Sequence, residues 1–130
     1  MIIAVDFDGT IVHDCWPDVG RFRFLAPWVL KWLKRRGHVL VLNTCRVGMP
    51  LQLAIMKLDD NGIHFDRINE NWPARIRQYG GDCRKIAADI YIDDKAIGYW
   101  NWPMVFLFSC IIDMLKHKAK DAKGTEAGSK

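Results

Sequence analysis

Residues 1–12 read MIIAVDFDGTIV, an apolar run that ends in Asp6-Phe7-Asp8-Gly9-Thr10. A continuous, β-branched run of this kind is the pattern of a strand buried on both faces of a parallel sheet. Driving such a strand into two aspartates needs a physical reason, because carboxylates withdrawn from water are costly unless something offsets their charge.

Working outward, HVLVLN (38–43) is a second buried-strand pattern. Between the two lies APWVLKWLKRRGH (26–38), which predicts a helix with Pro27 in its first turn, Val29, Trp32 and Leu33 on one face, and Gly37 as its stop. A second helix is predicted over PLQLAIMKLDDNG (50–62), where Leu51, Ala54, Ile55 and Leu58 follow helical spacing. IHFDRIN (63–69) reads as a weaker strand, and ENWPARIRQYGGDCRK (70–85) as polar chain holding a short helix. ADIYIDD (88–94) is a third strand, again ending in two aspartates. MVFLFSCIIDMLK (104–116) has helical length and is apolar nearly all round, so it is expected to be covered. Strands alternating with helices define the α/β class, here a three-layer, Rossmann-like parallel sheet flanked by helices.

The chain has 130 residues, half of them hydrophobic and 26% charged, which fits one globular domain. Its 19 basic and 15 acidic residues give a net charge of +4, but five of the basic and two of the acidic residues fall in 116–130. The remainder is 14 against 13, so the basic balance belongs to the tail and does not define a nucleic-acid surface. The expected organisation is a domain over 1–115 and a polar, disordered tail over 116–130. Cys15, Cys45, Cys83 and Cys110 show no zinc or disulfide spacing, which suits a reducing, cytoplasmic setting. The longest apolar stretch, PMVFLFSCII, is about half of a bilayer span, so no membrane association is expected.

In an open parallel sheet, ligands bind beyond the carboxyl ends of the strands. Asp6 and Asp8 leave the first strand at that edge, Thr44 and Arg46 leave the second, and Asp93 and Asp94 end the third. Two carboxylates 4 Å apart repel by roughly 4 kcal/mol at an effective dielectric near 20, so a gathering of four calls for a cation. Oxygen ligands suit Mg²⁺, with waters and a substrate phosphate completing the octahedron. Within Asp6-Phe7-Asp8, one carboxylate can attack phosphorus while the other protonates the leaving oxygen and later activates water. Thr44 offers a hydroxyl and a backbone N–H to the phosphoryl oxygens, and Lys85, or less well Arg84, offers a positive charge.

These residues resemble the motifs of the haloacid dehalogenase superfamily of phosphotransferases. Asp6-Phe7-Asp8-Gly9-Thr10 matches the first motif, Thr44 the second, Lys85 the third and Asp93-Asp94 the fourth, in order over residues 1 to 95. The resemblance implies that Asp6 forms an aspartyl-phosphate and that Asp8 is the general acid and base. It also implies a Mg²⁺ site made by Asp6, the Asp8 carbonyl and Asp94, with Asp93 direct or through water. Gly9, Thr10, Thr44, Arg46 and Lys85 are the expected substrate-binding residues. Arg46 has a second reading, an ion pair with a neighbouring aspartate.

Members of that family often insert a cap domain, yet only a flap fits between Thr10 and Ala26, so the chain reads as capless. An open site suits a bulky or macromolecular phosphorylated substrate, and the apolar C-terminal helix suits a homodimer. Two other functions stay open. One is a non-catalytic Mg²⁺- and phosphate-binding domain. The other is a nucleic-acid end phosphatase or nucleotidase, for which Trp16, Trp72, Arg75 and Arg77 would serve as stacking and phosphate contacts. The near-neutral body disfavours a nucleic-acid partner.

Overall fold

All four residues of strand β1 (Ile2–Val5) are buried, and the rest of the sheet is built around them. In the computed structural model, which describes residues 1–128, β1 pairs in parallel with β4 (Val39–Leu42) on one side and β6 (Ile90–Ile92) on the other. A two-residue edge strand, β5 (Arg67–Ile68), adds in parallel to β4. The order is therefore β5-β4-β1-β6, a four-stranded parallel sheet flanked by helices. Ile3, Val5, Leu40 and Leu42 are fully or almost fully buried, each contributing roughly 1.5–3 kcal/mol of hydrophobic stabilisation. Because the chain moves outward from β1 to β4 and β5 and later returns to β6 on the other side, β1 lies at the topological switch where α/β sheets place ligands.

Helix α1 (Ala26–Arg35) buries Ala26, Val29, Leu30 and Leu33, and Lys34 and Arg35 complement the dipole in its last turn. Trp32, predicted on one face with Val29 and Leu33, is less buried than either of them. It is half-buried and stacks on exposed Trp28, with ring centroids 5.9 Å apart. Helix α2 (Gly48–Asp60) buries Ala54 and Leu58, and α3 (Pro73–Tyr79) is short. Trp72, just before α3, packs against the core cluster of Ile2, Ala4, Val41 and Ile86 and lies under the Arg67 guanidinium, which makes it a structural residue rather than a free stacking platform.

Between β1 and α1 the chain forms an antiparallel hairpin, β2 (Val12–Cys15) and β3 (Asp18–Phe22). This is the expected flap, built as two strands.

Gly98 ends the first compact unit and Tyr99 begins the second, which is dominated by helix α4 (Trp102–Gly128). The division thus falls earlier than the 115/116 boundary read from composition. The stretch 116–128 continues α4 with its described side chains exposed; its alanines and lysines are strong helix formers, so charge and solvation there do not prevent helix formation. The last two residues of the expected tail lie outside the described residues. Among the described residues no helix is long and apolar enough to cross a membrane.

Candidate functional site

Asp6 follows β1 directly, and its N–H donates to the Ile92 carbonyl at 2.9 Å, continuing the ladder to β6. Asp93 and Asp94 follow β6, so two adjacent parallel strands deliver three carboxylates to one edge. Oxygens of Asp6, Asp93 and Asp94 all lie within 4.8 Å of one another. Burial, and then the charges of Asp93 and Asp94, push the Asp6 carboxyl from 3.8 up to about 7, while a hydrogen bond from Thr10 acts in the opposite direction. The cluster thus demands either a proton or a cation. Three hard oxygen donors with solvent access fit Mg²⁺, and Asp6, Asp93 and Asp94 are the side chains that would hold it.

Thr10 is fully buried, and its hydroxyl joins the two strand ends. It donates to Asp6 Oδ2 at 2.9 Å, lies 3.4 Å from Asp94 Oδ1, and accepts the Asp94 N–H at 2.8 Å. Thr10 was expected to bind substrate; without solvent access it instead organises the acidic cluster. Gly9 (φ +79°) turns the chain between them, and a Cβ there would lie 2.2 Å from Asp94 Oδ2. Its role is close approach of backbone to carboxylate, not a side-chain contact with substrate.

Asp8 and Arg46 form a bidentate ion pair. Nε donates to Asp8 Oδ2 and Nη2 to Asp8 Oδ1, both at 2.7 Å. Arg46 is fully buried and Asp8 is 21% exposed. The bond to Asp8 raises the guanidinium's pKa above its ordinary value, so burial does not discharge it. The other Arg46 N–H groups donate to the carbonyls of Pro17, Asp18 and Pro50. All five donors are therefore committed inside the protein, and the structure selects the ion-pair reading over substrate binding for Arg46.

Thr44 leaves β4 at the same edge, where the neighbouring Asn43 N–H donates to the Val5 carbonyl. Its N–H, expected for phosphate, is taken by Asn69 Oδ1 at 2.8 Å, and Asn69 Nδ2 donates to its carbonyl at 2.9 Å. The Thr44 hydroxyl accepts the Arg46 N–H at 3.1 Å. Asn69, at φ 52°, was not singled out from sequence; its signal is an Asn, tolerant of positive φ, directly after a strand.

Lys85 is not brought to the carboxylates. Its ammonium lies 5.6 Å from the Tyr91 ring centroid, in a recess of about 370 Å³ shared with Arg75, Tyr79 and Asp89. Asp89 marks the amino edge of the sheet, because it accepts the Ile2 N–H at 2.7 Å and pairs with Arg75. The reason is strand direction. Lys85 precedes β6, so the strand itself, at about 3.3 Å per residue, separates Lys85 from the edge where Asp93 emerges. Arg84 precedes β6 in the same way. Two cations that sequence reasoning missed border the acidic edge instead. Arg23 donates to the Gly9 carbonyl at 3.1 Å, and the exposed Lys95 ammonium lies 4.0 Å from Asp94 Oδ2. Lys95 was legible as the residue after the acidic pair, whereas Arg23 carries no local signal.

The fold and this edge define an α/β protein with an acidic cluster at the switch point of a parallel sheet. A conserved protein from Bacteroides thetaiotaomicron, known from its solved structure, is 35% identical over 91% of each chain, with a TM-score of 0.74. The chain belongs to the same family as that conserved protein. No protein-family model and no curated protein matches the chain.

Proposed function

We propose that the protein is a Mg²⁺-dependent phosphate-ester hydrolase of the haloacid dehalogenase type, working through an aspartyl-phosphate on Asp6. The observation that carries this reading is the convergence of Asp6, Asp93 and Asp94 oxygens within 4.8 Å at the carboxyl edge, with Asp8 two residues along the chain from Asp6.

When bound, Mg²⁺ offsets the carboxylate charge and orients the phosphate oxygens. Thr10 holds Asp6 Oδ2 by hydrogen bond, leaving Oδ1 as the oxygen to attack phosphorus. As the Asp6 Oδ1–P bond forms and the ester P–O bond breaks, Asp8, carrying a proton on a lone pair that Arg46 does not use, gives it to the leaving oxygen; the carboxylate so formed takes a proton from the water that displaces phosphate from Asp6, which restores Asp8 for the next cycle. The Thr44 hydroxyl donates to a phosphoryl oxygen, with Arg23 and Lys95 supplying positive charge at the rim. A two-stranded hairpin covers less than a cap domain would, which favours a bulky phosphorylated substrate.

Phosphate release from a panel of phosphate esters, oligonucleotide 3′- and 5′-phosphates included, tests the reading with and without Mg²⁺. Mg²⁺-dependent release that Asp6→Asn abolishes is the expected result. Wild-type turnover in Asp6→Asn overturns the mechanism, and Mg²⁺ binding without release from any ester points to the non-catalytic phosphate-binding domain.

A further inference from the structure

Arg46 sits where three otherwise separate parts of the first unit meet. Its Nη1 donates to the Pro17 carbonyl of the hairpin turn at 3.1 Å and to the Pro50 carbonyl of α2 at 3.0 Å. Its Nη2 donates to the Asp18 carbonyl of the hairpin and to Asp8 Oδ1, each at 2.7 Å. The Phe7 and Trp16 rings lie 5.2 and 5.1 Å from the guanidinium carbon. A buried cation tolerates no vacant donor cheaply, since each unpaired N–H loses water without replacement. Lifting the hairpin would strip one acceptor from Nη1 and one from Nη2. Nη2 is the nitrogen that also fixes one oxygen of Asp8.

We propose that Arg46 is a positioning residue that makes seating of the hairpin and orientation of the Asp8 carboxylate a single event. The catalytic part of this inference rests on the hydrolase reading; the coupling itself does not. Because an internal guanidinium holds the hairpin down, Asp8 is oriented before substrate arrives, and the flap needs no substrate contact to close. Lys57 supplies an independent tether, donating to the Gly20 carbonyl at 2.7 Å and lying 4.9 Å from the Phe22 ring centroid. The base of the hairpin therefore stays anchored when the turn held by Arg46 is released.

The test compares wild type, Arg46→Lys, Asp8→Asn and the double variant by amide hydrogen exchange and by turnover of p-nitrophenyl phosphate at saturating Mg²⁺. Asp8→Asn replaces one acceptor with a donor facing Arg46, so exchange should accelerate at residues 14–19 while β1 and β4 keep their protection. Arg46→Lys should lower kcat by about 100-fold, the scale of an ångström-level misplacement of a reacting group, and leave KM within about threefold. In the Asp8→Asn background the same substitution should cost nothing further, which a purely structural loss would not produce. Unchanged exchange at residues 14–19 in Asp8→Asn overturns the coupling, whether or not the wild type turns over p-nitrophenyl phosphate. Multiplicative losses in the double variant overturn the positioning role. Absence of wild-type turnover counts against the hydrolase reading alone, and the exchange result then decides the inference.

Discussion

Gly9 lies so close to Asp94 that a Cβ on it would sit 2.2 Å from Oδ2 and 2.7 Å from Cγ of that carboxylate. Contact of that kind leaves a side chain at position 9 two ways to fit: the backbone moves or Asp94 swings away. The positive φ adds about 1–2 kcal/mol of strain for any L side chain.

Gly9→Ala should therefore lower stability by about 1–2 kcal/mol in denaturant unfolding and weaken Mg²⁺ binding by at least about tenfold. Isothermal titration calorimetry reads the second effect directly. Unaltered Mg²⁺ affinity in a folded Gly9→Ala protein would show that Asp94 does not hold the ion.

Asp6 gives the pH dependence. Its folded pKa is raised to about 7 from 3.8, chiefly by burial, which is the reverse of a salt-bridged aspartate. Below pH 4 both folded and unfolded states are protonated and the group is neutral to stability. As pH rises from about 4 to 7 the unfolded chain releases a proton that the folded chain retains, so the metal-free protein loses stability across that window and no more above it. Mg²⁺ competes with this proton. Its apparent affinity should rise by up to about tenfold per pH unit below 7 and level off above. The Mg²⁺-induced increase in Tm should be larger at pH 8 than at pH 5, and a pH-independent increase would remove Asp6 from the metal site.

Thr10→Val tests the strut between the strand ends. It deletes the hydrogen bond that opposes the rise of the Asp6 pKa and leaves the part-buried Asp94 N–H without its acceptor. The expected cost is about 1–3 kcal/mol of stability, with the pH midpoint of Mg²⁺ binding moved upward. Thr10→Ser should restore both, because it keeps the hydroxyl. A Val variant whose binding midpoint stays put would reduce Thr10 to packing.

Strands β1, β4 and β6 were legible because each is a continuous apolar run bounded by polar residues, and the acidic cluster because two such runs end in aspartates. The hairpin was legible only as a gap too short for a domain. Most residues of β2 and β3 are exposed or half-buried, so they carry little hydrophobic periodicity, and the cations that hold them come from 28 to 37 positions away. Arg46 illustrates the same limit. Its spacing from Thr44 placed it at the right edge, but its partner depended on how Asp8 and the turn at Pro17 pack, which no local pattern encodes. The burial of Thr10 was not legible at all, since a motif gives position but not burial.

Lys85 shows that nearness in sequence to an acidic strand is not nearness in space, and its consequence separates three cations. Lys85 lies at the amino edge beside Tyr91, whereas Lys95 and Arg23 border the carboxylates. Lys85→Ala should leave Mg²⁺ affinity and turnover within about twofold, as surface substitutions away from a site do. Lys95→Ala removes a positive charge 4.0 Å from Asp94 Oδ2, and that charge attracts an anionic ester while repelling Mg²⁺. Its KM for a phosphate ester should rise severalfold while Mg²⁺ affinity stays level or improves, and the KM effect should shrink at high ionic strength because the ammonium is exposed. Arg23→Ala should raise KM in the same direction. Steady-state kinetics of the three variants at two salt concentrations decide the matter: a loss confined to Lys85→Ala would mean that the substrate's charge is met from the opposite edge of the sheet.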